Sequence, residues 1–158
     1  MSGTRLERQG SPKGWKRFLL RAPVAFYRAG LGFILGQRFV MLEHKGRKTG
    51  ETRRTVLETV VNDPDAVYVA AAWGARAQWL RNVEDDPHVV VHLGSRRYGS
   101  QAEMVGGGDA ETLMHRYAAE HPAALKRLAA FMLDNPGDTS EDQARRVAEE
   151  IPLVRLPK

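Results

Sequence analysis

The sequence predicts an α+β fold, a small antiparallel β-barrel with flanking helices at its N-terminal and C-terminal ends. Apolar residues recur at helical spacing before residue 37 and after residue 108, while the stretch between breaks into short β-branched and aromatic segments parted by Gly or Asn-Asp-Pro. Five such segments with short connections suit a closed antiparallel sheet rather than a doubly wound fold. The length of 158 residues, with 42% hydrophobic and 27% charged, gives a single domain (1–158) and excludes wholesale disorder or a multi-span membrane protein.

Residues 1–36 form a basic amphipathic helical segment. Trp15, Phe18, Leu19 and Ala22 share one helical face, and Lys13, Lys16, Arg17 and Arg21 occupy the others. Pro23 ends that helix and opens a second one carrying Phe26, Tyr27, Leu31 and Ile34. Two readings fit: a lid packed on the core, or a helix lying in a membrane interface. The charge-free run Ala29–Gln37 spans only nine residues, too short to cross a bilayer, and no signal-peptide cleavage site follows.

The barrel and its helices occupy residues 37–158. Strands are expected over 39–44, 53–61, 66–73, 88–93 and 97–105, with a helix over 75–85 that stops before Pro87. Leu113 and Tyr117 precede Pro122, and Leu125, Leu128, Ala129 and Met132 follow it at i, i+3, i+4 and i+7. Ser140 and Gln143 have capping-box spacing ahead of Ala144, Val147, Ala148 and Ile151; Pro152 ends that helix and 153–156 forms a closing strand.

Charge is uneven. Residues 1–54 hold 13 of the 24 Lys and Arg but only three of the 19 acids, a net charge of about +10, whereas the remainder carries about −5. Such a field suits nucleic acid, an anionic membrane face or a phosphorylated ligand. Nucleic acid fits worst, because no strand interleaves aromatics with basic residues as stacking platforms require. The chain has no cysteine, which excludes thiolate nucleophiles, disulfides and Cys-ligated metal, and fits a reducing cytoplasm.

Two segments carry the chemistry. Gly46-Arg47-Lys48-Thr49-Gly50 lies between two strands with Arg53 and Arg54 just beyond; its glycines permit a tight turn exposing backbone N–H groups, and its cations suit a phosphate or several carboxylates. It is not a Walker A loop, and alone it also reads as a solvated basic turn. The second segment is Ala70–Asn82, where small residues end a strand and leave room for a flat ligand, and Gly74 turns the chain into a helix. Trp79 and Asn82 share a flank of that helix; the bland alternative packs Trp79 with Val83 in the core and leaves Asn82 at the surface.

In combination, FVMLEHKGRKTG (39–50), RRTVLETVV (53–61) and VYVAAAWGARAQWLRNVEDDPHVVV (67–91), after a basic N-terminal helix, resemble the deazaflavin-dependent nitroreductase family over about 18–156. The resemblance implies a split β-barrel of the FMN-binding-like kind, and the 8-hydroxy-5-deazaflavin coenzyme F420 as cofactor, with FMN a poorer fit. It implies that Arg47, Lys48, Thr49, Gly50 and Arg53 hold the phosphate and polyglutamate tail. Thr55, Val56 and Leu57 would line the ring, Ala71, Ala72, Trp73 and Gly74 would offer amides to its pyrimidine edge, and Gln78, Trp79 and Asn82 would close over ring or tail.

The implied activity is F420H2-dependent hydride transfer to a small apolar acceptor such as a quinone, an enone or a nitro compound. Family members that reduce quinones and nitro compounds look tyrosine-rich after the barrel; here Tyr117 is the only nearby phenol, and it is the candidate proton donor, or else packing. Phe18, Phe26, Tyr27, Leu128, Phe131 and Met132 form the expected apolar acceptor pocket. His44 precedes the basic turn within reach of the cofactor, while His88 and His92 face the same side of a strand with no third ligand, so no metal is expected. The competing functions are a deazaflavin carrier without turnover and a peripheral membrane-binding protein; the expected location is the cytoplasm or the inner face of the cell membrane, and analogy with other split barrels implies a homodimer.

Overall fold

The computed structural model describes residues 37–71, 74–135 and 137–158. The basic helical segment 1–36, with Phe18, Phe26 and Tyr27, lies outside the described residues, as do Ala72 and Trp73 and the side chains of Phe131 and Met132.

Strands β1 (Phe39–Lys45), β2 (Thr52–Asn62) and β3 (Ala66–Ala70) lead through a 3-10 turn (Gly74–Arg76) to helix α1 (Gln78–Asp85). Strands β4 (His88–Leu93), β5 (Arg96–Gln101) and β6 (Glu103–Val105) follow, then α2 (Gly107–Glu120), α3 (Pro122–Met132), α4 (Ser140–Glu150) and β7 (Leu153–Pro157). All pairings are antiparallel, in the order β5-β4-β1-β2-β3-β7-β6.

The expected strand 97–105 is one extended segment doing two jobs. Its first part pairs with β4 and its second with β7, at opposite ends of the sheet order, yet only Ala102 separates them. The sheet must therefore curl until its ends meet. Ala102 donates its N–H to the Pro87 carbonyl at that corner, and Ser100 Oγ donates to the Pro157 carbonyl across the seam. The fold is the expected α+β split barrel, with the C-terminal flanking helices α2, α3 and α4 in place.

The core has two compartments on the two faces of the sheet. Val40, Leu42, Val67, Val69, Val89, Val91, Leu93, Val154 and Leu156 point inward and are covered by Ala77, Trp79, Leu80 and Val83, so α1 plugs the barrel. On the outside, Val60, Val61 and Leu153 are buried beneath α2, α3 and α4. β3 reads as an almost unbroken apolar run because one face serves each compartment. Val60 and Val61 are consecutive yet both lie on the helix side; the pairing with β3 slips between Thr59 and Val61, and this bulge turns a residue that simple alternation would send inward.

Two expectations are corrected. The third strand stops at Ala70 rather than Trp73: the Ala71 N–H still donates to the Pro152 carbonyl in register with the β3–β7 pairing, but proline has no N–H to return the bond and the ladder ends there. The cap of α4 is Thr139, whose hydroxyl accepts from the Asp142 N–H, so the capping pair lies one residue before the expected Ser140 and Gln143. Gln143 instead faces inward and its Nε2 donates to the Gly137 carbonyl.

Candidate cofactor site

The turn between β1 and β2 is closed by two backbone hydrogen bonds, Gly46 N–H to the Glu51 carbonyl (2.8 Å) and Gly50 N–H to the Gly46 carbonyl (2.7 Å). Gly50 has φ +72°, a left-handed conformation that side chains disfavour. A Cβ on Gly46 would lie 3.1 Å from Thr49 Oγ1 and 3.3 Å from the Glu51 carbonyl oxygen, so both glycines are needed for the tight path.

The cations of the turn are not equivalent. The Arg47 N–H and Nη1 both donate to Asn82 Oδ1, at 3.2 and 2.9 Å, and its Nη2 donates to Gln78 Oε1 at 3.1 Å. Arg47 is therefore engaged with α1. Lys48 is exposed, and Arg53 is exposed with one arm on Glu51 at 2.9 Å. Thr49 Oγ1 accepts from the Glu51 N–H, which shapes the turn. A docked loop with two cations facing water fits an acidic, flexible tail: charge is offered on a fixed backbone.

Asn82 is 6% exposed, not a surface residue, and Trp79 packs in the barrel compartment with Val83. The Asn82 Nδ2 reaches Nδ1 of His44, itself 5% exposed, at 3.1 Å. Because two N–H groups of Arg47 point at the other amide atom, that atom is the oxygen, and Nδ2 is the donor toward His44. His44 Nδ1 must then carry its lone pair, leaving the neutral Nε2–H tautomer. Burial, aided by the Arg53 guanidinium, pushes the imidazole down to about 4, in agreement with that geometry.

The ring-lining expectations fall on two faces. Thr55 and Leu57 pair with Leu42 and Val40 and share their inward face, whereas Val56 pairs with Met41 on the other. Ala71 is fully buried and Gly74 has φ +64°. The Ala71 N–H goes to Pro152 and the Gly74 N–H to the Ala71 carbonyl at 2.9 Å, so both amides are used within the protein. Gln78 serves Arg47 through its oxygen, and its Nε2 lies 3.4 Å from the Arg76 carbonyl.

A model of the F420H2-dependent quinone reductase family matches residues 19–129. The chain belongs to the F420H2-dependent quinone reductase family. An F420H2-dependent quinone reductase of Mycobacterium tuberculosis strain H37Rv is 29% identical over 149 residues, covering 89% of this chain and 90% of that one. Among solved structures, an F420H2-dependent reductase (FDR-A) superposes with a TM-score of 0.54 at 18% identity, over 77% of this chain and 95% of that one. The haem storage protein HutZ of Vibrio cholerae gives a TM-score of 0.53 at 14% identity, over 80% and 85%. These structural likenesses share the split barrel and speak to fold alone. Family membership makes the protein an enzyme, an oxidoreductase that uses F420 and a small-molecule acceptor.

Of the remaining expected residues, Tyr117 and Leu128 lie in the helical layer. Tyr117 on α2 is buried among the helix-side residues, and its hydroxyl faces Glu58 Oε1 at 3.5 Å. Burial first, and then the Glu58 carboxylate, push its pKa up to about 12. Leu128 is half-buried against the same helix-side compartment, on the far side of the sheet wall from the barrel interior. His88 pairs with Asp86, and His92 with the half-buried Glu43 on the neighbouring strand. The coupling of His44 to Asn82 is absent from the sequence reading. Its only local signal is that His44 alternates inward with Val40 and Leu42, one residue short of the turn.

Proposed function

We propose that the protein transfers a hydride from F420H2 to a small apolar acceptor, a quinone, an enone or a nitro compound, with the Gly46–Gly50 turn holding the acidic tail of the cofactor. The observation that carries this reading is the docked turn: Arg47 fastens it to α1 while Lys48 and Arg53 remain exposed. When bound, the cofactor supplies the hydride, so the protein needs no nucleophile of its own, in accord with the absence of cysteine. The chain's own part is to bind and orient: cations at the turn for the tail, and Thr55 and Leu57, which share the inward face of β2, for the ring.

The acceptor side is proposed from sequence at Phe18, Phe26, Tyr27, Phe131 and Met132, whereas Leu128 packs in the helix-side compartment, away from the inward face of Thr55 and Leu57. The basic start at 1–36 suits an anionic membrane face on charge alone, which liposome sedimentation of chains with and without 1–36 tests. Homodimer formation is proposed by analogy and is checked by sedimentation velocity. Among the described residues no helix is long and apolar enough to cross a membrane.

The test is acceptor-dependent oxidation of F420H2, followed optically with menadione, an enone and a nitroaromatic as separate arms. Turnover with at least one acceptor is expected. Tight F420 binding with no turnover on any arm would replace the reductase by a carrier.

A further inference from the structure

We propose that Asn82 is the positioning residue of the cofactor-tail loop, holding Arg47 from α1 and being held in turn by His44, so that the loop's exposed cations are presented on a fixed backbone. The proposal rests on the reading that the Gly46–Gly50 turn binds the acidic tail. It changes the part assigned to Asn82, from a residue closing over the cofactor to one that acts through Arg47.

The carboxamide is used on both sides. Its oxygen takes two donors from one residue, the backbone N–H and Nη1 of Arg47, which fixes the loop's main chain as well as its side chain. Its amino group donates to Nδ1 of His44, on the strand that leads into the turn. Thus the strand entering the loop, the loop itself and α1 are joined at one buried amide. Alanine would leave the Arg47 N–H, one guanidinium arm and the His44 lone pair without these partners in a largely buried place, and glutamine would push the head group too far. Asp keeps the acceptor for Arg47 but turns a second oxygen toward His44 Nδ1, which must then carry a proton to meet it. Arg53, on the strand paired with His44, and Arg47, on the far side of the amide, oppose a charged ring, so that proton is placed by a change of tautomer.

Three chains separate the outcomes: wild type, Asn82→Ala and Asn82→Asp, with Lys48→Ala as the direct-contact control. The affinity of each for F420 and for the tail-less deazaflavin riboside is measured by fluorescence titration. N82A is expected to weaken F420 binding by roughly 10- to 100-fold while leaving the riboside within about twofold. K48A should weaken F420 as well. N82A at full F420 affinity beside a weakened K48A would overturn the positioning role alone; both at full affinity would overturn the tail reading beneath it. N82D keeps the proposal testable should N82A not fold. Nitrogen-15 NMR of the ligand-free chains at pH 7 should find His44 as the neutral Nε2–H tautomer in the wild type and with its proton on Nδ1 in N82D, with the Arg47 amide resonance little moved. An unaltered His44 in N82D would mean that the amide does not hold it.

Discussion

The hydroxyl of Tyr117, on the buried side of α2, faces Glu58 Oε1 on β2 across 3.5 Å. This sets the candidate proton donor against a carboxylate. A phenol pushed up to about 12 stays protonated at neutral pH but gives up its proton reluctantly, since an efficient catalytic acid has a pKa near the working pH. Tyr117→Phe should therefore leave kcat within about threefold, whereas loss of a general acid costs roughly 100- to 10,000-fold. Steady-state kinetics decide, and a fall of that size would make Tyr117 the donor.

The same residue predicts an alkaline effect. Its folded-state pKa lies above the unfolded value near 10, so the folded state keeps the proton longer; its stabilisation is whole below pH 10 and fades as pH rises toward 12. The difference in unfolding free energy between wild type and Y117F should shrink by about 2 kcal/mol over that window. Urea titrations at pH 9 and 11.5 measure it, and a constant difference would contradict the burial of the phenol.

His44 works in the opposite sense. Its folded-state value, about 4, lies below the ordinary 6.5, so the unfolded chain binds the proton first and stability drops as pH falls from 6.5 through 4. The loss attributable to this imidazole is at most about 3 kcal/mol. His44→Asn, which keeps an acceptor for Asn82 without a titrating group, should flatten that part of the stability curve in urea melts.

The loop cations make a binding prediction. Lys48→Ala and Arg53→Ala should each cost about 1.5–3 kcal/mol of F420 affinity if a charged hydrogen bond is lost, with the penalty falling at high salt. Equal affinities for wild type and both variants at low ionic strength would remove the tail from this turn.

The cap of α4 separates two neighbouring hydroxyls. Thr139 accepts the Asp142 N–H at 3.1 Å, so Thr139→Ala should destabilise by about 1 kcal/mol. Ser140→Ala should be nearly neutral in thermal melts; the reverse ranking would move the cap back by one residue.

The sequence by itself determined the α+β class, the approximate places of the strands and helices after residue 37, and the basic Gly-flanked turn, whose cofactor class came with the resemblance of its motifs to a known family. These properties are written in local period, composition and short motifs, which need only neighbouring residues. Tertiary structure alone decided that the segment around Ala102 closes the barrel, that consecutive Val60 and Val61 both face the helices, and that Asn82 is buried as the partner of Arg47, 35 positions away. The physical reason is that a period of 2 or 3.6 reports which side a residue faces, not what arrives there. Arg47 and Asn82 meet because a curled sheet plugged by α1 brings the β1–β2 turn onto that helix, and hydrogen-bond donors buried by that arrival must find an acceptor.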